Sequence, residues 1–584
     1  MISIPIINRV KHYNFKLFQS DLISGLTVGV MIVPQGMAYA MLAGVPPIYG
    51  LYGAIVPLFL YAIFGTSHAM AIGPVAISSL LIFAGISEIA VPGSPEFISF
   101  VILSGFFIGL LKLLTSIMRL GFLVNFLSKP VIIGFTSAAA IIIAISQVKY
   151  VLGVHIPTSS SLLSTIQGLS SEIDNTNVAT ALVCISGITL MLLLKKLNKK
   201  IPGALLVVIL SVAVVSLFHL EDYGITIVKE VPKGFPSFLV PNFTIENIRL
   251  VMPTVLTVTV ISIVESISIA KVWESKYNAT QDPKNRYKID ANQELFALGI
   301  AKIGGSFFQA LPSSGSFTRS AINHESGAKT QISSIITALF VTLVLLFFTP
   351  LFYYLPQAIL AAIILVSVVG LFEYKEAFSL WKTHRSDFYM LLTSFILTLV
   401  VGIKEGVFAG IFLSIIVVVY RLAKPDILVL GKLPNTSHFR CIHRYPEAEQ
   451  VKNCKIIRFN GQLFFANSDY LKDFIVSVIT ENSNIKVLII DASNIHDVDS
   501  TGIKMLKEVK ELLEAKDIHF YFANTIGSFR DRLHRAGLTQ KIVGKNHFMS
   551  ILEAVEYSQE QIPEQEKTMN NNVVYAISSV TTKF

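Results

Sequence analysis

The sequence predicts a polytopic α-helical membrane protein of about fourteen spans, built as a seven-plus-seven inverted repeat and followed by a soluble α/β domain. Three observations carry that expectation. Of 584 residues, 53% are apolar and only 15% charged, with a mean hydropathy of +0.63, whereas an ordinary soluble domain is about 25% charged. No Asp, Glu, Lys or Arg occurs from Leu22 to Ser87, a run long enough for about three spans of roughly 20 residues each. From about Phe439 short β-rich runs alternate with amphipathic helices, the pattern of an α/β domain.

Residues 1–20 form a cytoplasmic N-terminal segment. Arg9, Lys11 and Lys16 precede an apolar run far longer than a signal h-region of about 7–15 residues, so no cleavable signal is expected. The transmembrane domain covers 21–424, with repeats at about 21–219 and 250–424. Its apolar segments lie near 22–43, 47–65, 73–90, 98–118, 131–151, 178–194, 203–219, 251–271, 291–308, 315–323, 332–349, 355–371, 387–403 and 405–422. Basic clusters set the orientation: KHYNFK before the first span, KKLNKK (195–200) after the sixth, KVWESKYNATQDPKNRYK (271–288) after the eighth and WKTHR (381–385) after the twelfth. They share one side only if both termini are cytoplasmic. The same placement accounts for the formal charge of +9 without invoking nucleic acid. Seven spans is an odd number, so the second half must be inverted relative to the first, a common build for secondary transporters. A linker at 425–438, the α/β domain at 439–560 and a disordered tail at 561–584 complete the chain. Cys184, Cys441 and Cys454 show no metal or disulfide spacing. No nucleophile–base pair, metal cluster or P-loop is recognisable, so an enzyme is not expected.

Two segments are too broken to be simple spans. HAMAIGPVAISS (68–79) contains Gly73-Pro74, and PSSGSFTRSA (312–321) contains Pro312 and Gly315; each is the third span of its half. Gly/Pro-interrupted segments at matching positions point to a substrate site. Half-helices ending in mid-membrane would aim unpaired N–H groups at one point and favour an anion there. The expected contributors are Gly73, Pro74, Val75 and Ala76 on one side and Ser316, Phe317 and Thr318 on the other. Arg319 follows directly. An intramembrane arginine costs about 2.5–3.5 kcal/mol on insertion scales and should face a cavity and a partner. The alternative is an arginine snorkelling at the end of its span beside His324 and Glu325. In the first span, PQGMAY offers the Gln35 amide and, one helical turn later, Tyr39. Glu265 is the one charge between Arg249 and Lys271, flanked on its own face by Ser262 and Ser268. It is either a proton carrier or the partner of a static ion pair with Arg319.

The stretches GLTVGVMIVPQGMAYAMLAGVPPIYGLYGAIVP (25–57), AIGPVAISSL (71–80), VISIVESISIAK (260–271) and DANQELFALGIAKIGGSFFQALPSSGSFTRSAINHESGAKT (290–330) together resemble the SulP anion transporters, over nearly the whole chain. The resemblance implies a core domain and a gate domain with elevator-like alternating access, and half-helices in spans 3 and 10 that meet over the substrate. It also implies Arg319 just behind the anion, Gln35 and Tyr39 lining the pocket, and a homodimer in a lipid bilayer. Similar members with glutamate at the place of Glu265 couple to protons, whereas bicarbonate carriers that use sodium tend to have aspartate there. DASNIHDVDSTG (491–502) resembles the signature loop of STAS domains, in which the residue before the glycine, here Thr501, can be phosphorylated. Ser500 opens the following helix and suits phosphate contact or plain N-capping by itself or Asp499.

The expected function is therefore proton-coupled uptake of sulfate by a secondary active transporter. Sodium-coupled bicarbonate symport is the alternative on the same fold, and an uncoupled anion channel or exchanger, for chloride among others, the alternative of another class. Bringing a dianion into a negative interior costs about 4.6 kcal/mol per 100 mV, two charges at about 2.3 each, and one proton offsets half of that. No metal or cofactor is expected beyond the coupling ion, H⁺ or alternatively Na⁺. The expected location is a cell membrane crossed many times, as in a bacterial inner membrane.

Overall fold

The computed structural model describes residues 4–11, 13–121, 128–154, 156, 162–197, 202–279, 286–482, 484–536 and 547–561. Past Gln561 the expected disordered tail lies outside the described residues, as does the KKLNKK cluster beyond Leu197. The chain divides into two compact units, residues 1–414 and 415–584.

In the first unit a short helix α1 (Pro5–Val10) leads into α2 (Phe15–Leu42), α3 (Ile48–Tyr52) and α4 (Val56–Phe64). Strand β1 (Ile72–Gly73), α5 (Ala76–Ile86), α6 (Pro95–Ile117), α7 (Lys129–Leu152), α8 (Leu162–Glu172), α9 (Val178–Leu197) and α10 (Gly203–Phe218) complete the first half. The second half runs α11 (Ile245–Ala279), α12 (Ala291–Ser306), β2 (Ser314–Gly315), α13 (Phe317–Glu325), α14 (Ile332–Leu343), α15 (Gln357–Val368), α16 (Tyr374–Thr383), α17 (Arg385–Val400) and α18 (Ile403–Ala423), within which the division between the units falls. Among the described residues nine helical segments are long and apolar enough to cross a membrane. The third span of each half is not one of them. It starts as a two-residue strand, and its helix has 11 residues in α5 and 9 in α13. At 1.5 Å per residue neither reaches beyond about half of a 30 Å hydrocarbon core.

The helices sort into two groups. α12 packs on α6 and α4, α14 on α2, and α11 on α5 and α6; separately, α7 packs on α17, α15 and α9, and α10 on α9. The most extensive packing, α6 on α12, needs two glycines. A Cβ on Gly109 would sit 2.8 Å from the Gly299 carbonyl oxygen, and one on Gly299 2.9 Å from that of Gly109. Local sequence sets the helix ends. Ser94 caps α6 by accepting from the Phe97 N–H at 3.1 Å, with Pro95 at the first helical position. Asp290 caps α12 through the Asn292 and Gln293 N–H groups. Gly153 closes α7 in the left-handed conformation, φ +69°.

The second unit holds a six-stranded sheet in the order β4-β3-β5-β6-β7-β8, formed by β3 (Ile427–Lys432), β4 (Phe439–Cys441), β5 (Cys454–Phe459), β6 (Val487–Asp491), β7 (His519–Ala523) and β8 (His547–Phe548). β5 to β8 are parallel, and β3 runs antiparallel to both β4 and β5. The strands are apolar on both faces because both faces are covered. Ile457, Leu488, Ile490 and Phe522 join one core with α19 (Ser468–Glu481), α20 (Ser500–Glu514) and α21 (Gly527–Arg535). Ile456, Val487, Ile489 and Tyr521 join the other with α22 (Ile551–Gln561). Residues 425–438 are thus not a linker. β3 lies inside that range and pairs in register with β5, Ile427 opposite Phe459 and Leu430 opposite Ile456. Only Lys424, Pro425 and Asp426 separate its apolar run ILVL from the end of α18 at Ala423, so the strand starts before the β-rich pattern becomes plain.

Candidate functional site

The two broken spans meet. β1 pairs antiparallel with β2, Ile72 opposite Gly315 and Gly73 opposite Ser314, as a two-fold axis relating inverted halves requires. Gly73 has φ +151°, and a Cβ there would lie 2.7 Å from Ile32 Cδ1 and 3.1 Å from Arg319 Nη2. Only glycine adopts that backbone freely and leaves room for the guanidinium. Beyond the strands, α5 begins at Ala76 with Val75 as N-cap and no side-chain cap. α13 begins at Phe317 with Ser316 as N-cap, its Oγ accepting from the Arg319 N–H at 3.4 Å. The first turn of α5 is thus free of side-chain caps, and in α13 the Ser316 hydroxyl takes only the Arg319 N–H, so both half-helices present N–H groups at the positive end of the helix dipole.

Arg319 is fully buried. Its Nη2 donates to the Pro74 carbonyl at 2.9 Å and its Nη1 to Gln35 Oε1 at 3.3 Å, while Nε has no partner. The snorkelling alternative does not hold, because a headgroup anchor would be exposed. Glu265, on α11, has an unpartnered buried Oε2 and interacts electrostatically with Lys112, Lys302 and Arg319. It forms no ion pair with Arg319, whose hydrogen bonds go to Gln35 and Pro74; the strut alternative falls with that.

Lys112 and Lys302 are the residues the sequence reading missed. Lys112 of α6 is fully buried and donates to the Ser262 carbonyl at 3.2 Å, one turn before Glu265. Lys302 of α12 is 2% exposed and donates to the Ser313 carbonyl and, at 3.3 Å, to Ser314 Oγ, on the crossing strand itself. Both stand as single charges inside apolar runs, LLKLL and GIAKIGG, and the rule that singled out Arg319 and Glu265 would have found them. Three cations and one carboxylate leave this buried cluster a formal excess of two positive charges.

Two cavities open beside the crossing. One, about 280 Å³, is lined by Ile77, Glu265, Ser268, Phe317 and Thr318 among others. The other, about 510 Å³, is lined by Gln35, Thr318 and Ser367 among others. Gln35, Glu265, Phe317 and Thr318 thus stand in cavity walls, and Gly73, Pro74 and Arg319 lie behind them. Val75 and Ala76 hold the end of α5 at 6% and 8% exposure. Tyr39 is 6% exposed and its hydroxyl neighbours that of Ser367. Ser500 and Thr501 are exposed at the start of α20, in the other unit. The cap there is Asp499: Oδ1 accepts from the Gly502 N–H at 2.8 Å and Oδ2 from the Phe465 N–H at 2.9 Å.

Comparison with known proteins gives the family and the fold. Residues 18–394 match the sulfate permease family and residues 445–554 the STAS domain. "Sulfate transporter 4.1, chloroplastic" of Arabidopsis thaliana is 37% identical over 563 residues, covering 93% of this chain and 80% of its own. "High affinity sulfate transporter 2" of Stylosanthes hamata is 33% identical, covering 94% and 85%. The structure of the murine Solute Carrier 26 family member A9 anion transporter in the inward-facing state superposes with a TM-score of 0.87 at 25% identity, covering 96% of this chain and 94% of that one. The transmembrane domain of a cyanobacterial bicarbonate transporter shares the fold, with a TM-score of 0.59 at 20% identity over 69% of this chain and 98% of its own. The two transporters compared by sequence are plant proteins and lend no support to the expected bacterial inner membrane.

Proposed function

The chain belongs to the sulfate permease family, multi-pass membrane proteins that carry anions rather than enzymes, and we propose that it takes up sulfate together with protons. The observation that carries this reading is the buried cluster of Arg319, Lys112 and Lys302 against the one carboxylate of Glu265, set where the N-termini of the two half-helices converge. The cluster carries a formal excess of two positive charges with Glu265 ionised and three with it protonated, and either field favours a dianion over a monovalent anion.

Glu265 supplies the coupling. Glu265 stands in a cavity wall and its buried Oε2 has no hydrogen-bond partner, so that oxygen can take up or release a proton without breaking a hydrogen bond. Protonation removes the one negative charge beside the anion, so proton and sulfate favour each other's binding, which is the linkage a symporter needs. Two protons per sulfate make the cycle electrically neutral; one leaves about 2.3 kcal/mol per 100 mV to be met by the sulfate gradient. Both half-helices and all four charged side chains belong to the helix group of α2–α6 and α11–α14. That grouping supports movement of the loaded site as one body past α7, α9, α10, α15 and α17, with both termini on the cytoplasmic side.

The test is flux in proteoliposomes containing the full chain, with labelled sulfate, bicarbonate and chloride, under imposed H⁺ or Na⁺ gradients at clamped potential. Sulfate should accumulate with an inward proton gradient and ignore sodium. Accumulation of bicarbonate driven by sodium at constant pH would overturn the reading in favour of the other symporter, and flux without any accumulation would make the protein a channel or exchanger.

A further inference from the structure

The two cavities beside the crossing share the walls Thr318, Ser367 and Gly370, yet their outer ends carry opposite charge. The smaller one runs from Glu265 and Ser268 to Glu373, the exposed residue before α16, and no Lys or Arg is among its described lining residues. The larger runs from Gln35 to Lys195, exposed in the last turn of α9, and its described lining holds no carboxylate. We propose that these are two separate portals on one face of the protein: the Lys195 mouth passes the anion and the Glu373 mouth passes the coupling proton. The proposal rests on the proton-coupled reading above and adds the routes.

Electrostatics separates the traffic. Within a Debye length of about 8 Å at physiological salt, Glu373 repels a dianion and Lys195 attracts it, and a charged mouth with low-dielectric walls focuses that field. Neither Lys195 nor Glu373 has an ion-pair partner among the described residues. Lys129 of α7 is engaged by Glu376 of α16 at 2.9 Å, and Lys375, exposed in the first turn of α16, is the other cation beside Glu373. At the inner end, the charged and titratable groups around Glu265 are Lys112 of α6, Lys302 of α12, Arg319 of α13 and Tyr39 of α2. They hold the anion side positive, so a proton leaving Glu265 is drawn away from them toward Glu373. The step moves one proton only: the Glu265 carboxylic acid gives it to water entering the cavity, whose polar lining includes Thr136, Ser268 and Ser367. The Glu373 carboxylate takes it up and releases it to bulk water, and no bond to sulfate forms or breaks.

Both residues are exposed at helix ends, so substitution should spare the fold, and Lys195→Arg and Glu373→Asp serve as rescuing controls. In proteoliposomes containing the full chain, Lys195→Gln should raise the KM for labelled sulfate offered from that face about fivefold at about 0.01 M salt. The rise should vanish at about 1 M salt, where the Debye length is about 3 Å, and the pH dependence should not move. Glu373→Gln should lower the ratio of proton-driven uptake to sulfate–sulfate exchange about fivefold without moving KM. An unchanged KM for Lys195→Gln at low salt assigns Lys195 to lipid headgroups and overturns the anion portal. Two variants that shift the same parameter merge the routes and overturn the proposal. Wild-type uptake that ignores the pH gradient refutes proton coupling, and the Glu373 route with it, while the KM arm still decides Lys195.

Discussion

Replacing Arg319 by lysine separates charge from shape. The wild-type guanidinium spans two oxygens at once, Pro74 O at 2.9 Å and Gln35 Oε1 at 3.3 Å, and keeps Nε free. A lysine ammonium keeps the charge but donates from a single nitrogen and cannot hold both oxygens and still face the anion. One hydrogen bond to a charged group is lost, worth about 1.5–3 kcal/mol; at about 1.4 kcal/mol per tenfold, the sulfate Kd should rise roughly 10- to 100-fold. Arg319→Ala removes the charge as well and should abolish measurable binding. Titration calorimetry of the purified variants with sulfate gives the Kd values, and thermal unfolding checks that the proteins are folded. Wild-type affinity in Arg319→Lys would refute the bidentate role, and wild-type affinity in a folded Arg319→Ala would displace the site altogether.

Gly73→Ala forces a Cβ against Ile32 and Arg319 Nη2 at an unfavourable φ; strain of about 1–3 kcal/mol should appear as a lower unfolding temperature together with weaker sulfate binding, and an unchanged Kd would mean the guanidinium is free to shift. Lys302→Met removes one positive charge and the donor to the Ser313 carbonyl; sulfate affinity should fall at least tenfold, the equivalent of about 1.4 kcal/mol, while binding of a monovalent anion falls less, and equal losses for both would deny the charge-matching account. Ending the chain after residue 424 should give a monodisperse transmembrane unit that still binds sulfate, whereas ending it at 435 leaves β3 unpaired, an exposed edge that aggregates; size-exclusion chromatography separates the two outcomes. In the soluble unit burial pushes the Cys454 thiol up to about 12, so it stays protonated and should resist maleimide at pH 8 until the domain unfolds; rapid labelling of native protein would contradict its place in the sheet core.

What the sequence made legible follows from which signals are local. The Gly73-Pro74 and Pro312–Gly315 interruptions stand out because Gly and Pro act on the backbone where they sit, and the antiparallel pairing of β1 with β2 is the long-range result. Arg319 and Glu265 were visible as charges in apolar surroundings, but their separation was not: hydrogen bonds to Gln35, 284 residues away, and Pro74, 245 residues away, depend on how the halves fold together. Lys112 and Lys302 sat in plain view and were hidden by averaging, because one lysine barely lowers the hydropathy of a 20-residue window. β3 was lost for the opposite reason: its apolar run lies only three residues, Lys424-Pro425-Asp426, beyond an apolar helix, and its partner β5 is more than twenty residues further on. The opposed charges of the cavity mouths were beyond reach, since Lys195 and Glu373 belong to different halves and each reads alone as an ordinary loop charge.

Glu265→Gln puts the central claim to its most direct test. The glutamine keeps the size of the side chain, mimics the protonated acid and removes the one carboxylate in the cluster. Labelled sulfate uptake should be followed in proteoliposomes of wild type and variant, with an inward proton gradient and the potential clamped, alongside sulfate–sulfate exchange at equal pH. The account predicts that wild type accumulates sulfate above its external concentration, and that the variant exchanges sulfate and binds it at least as tightly but accumulates none. Proton-driven accumulation by Glu265→Gln at the wild-type rate would contradict it.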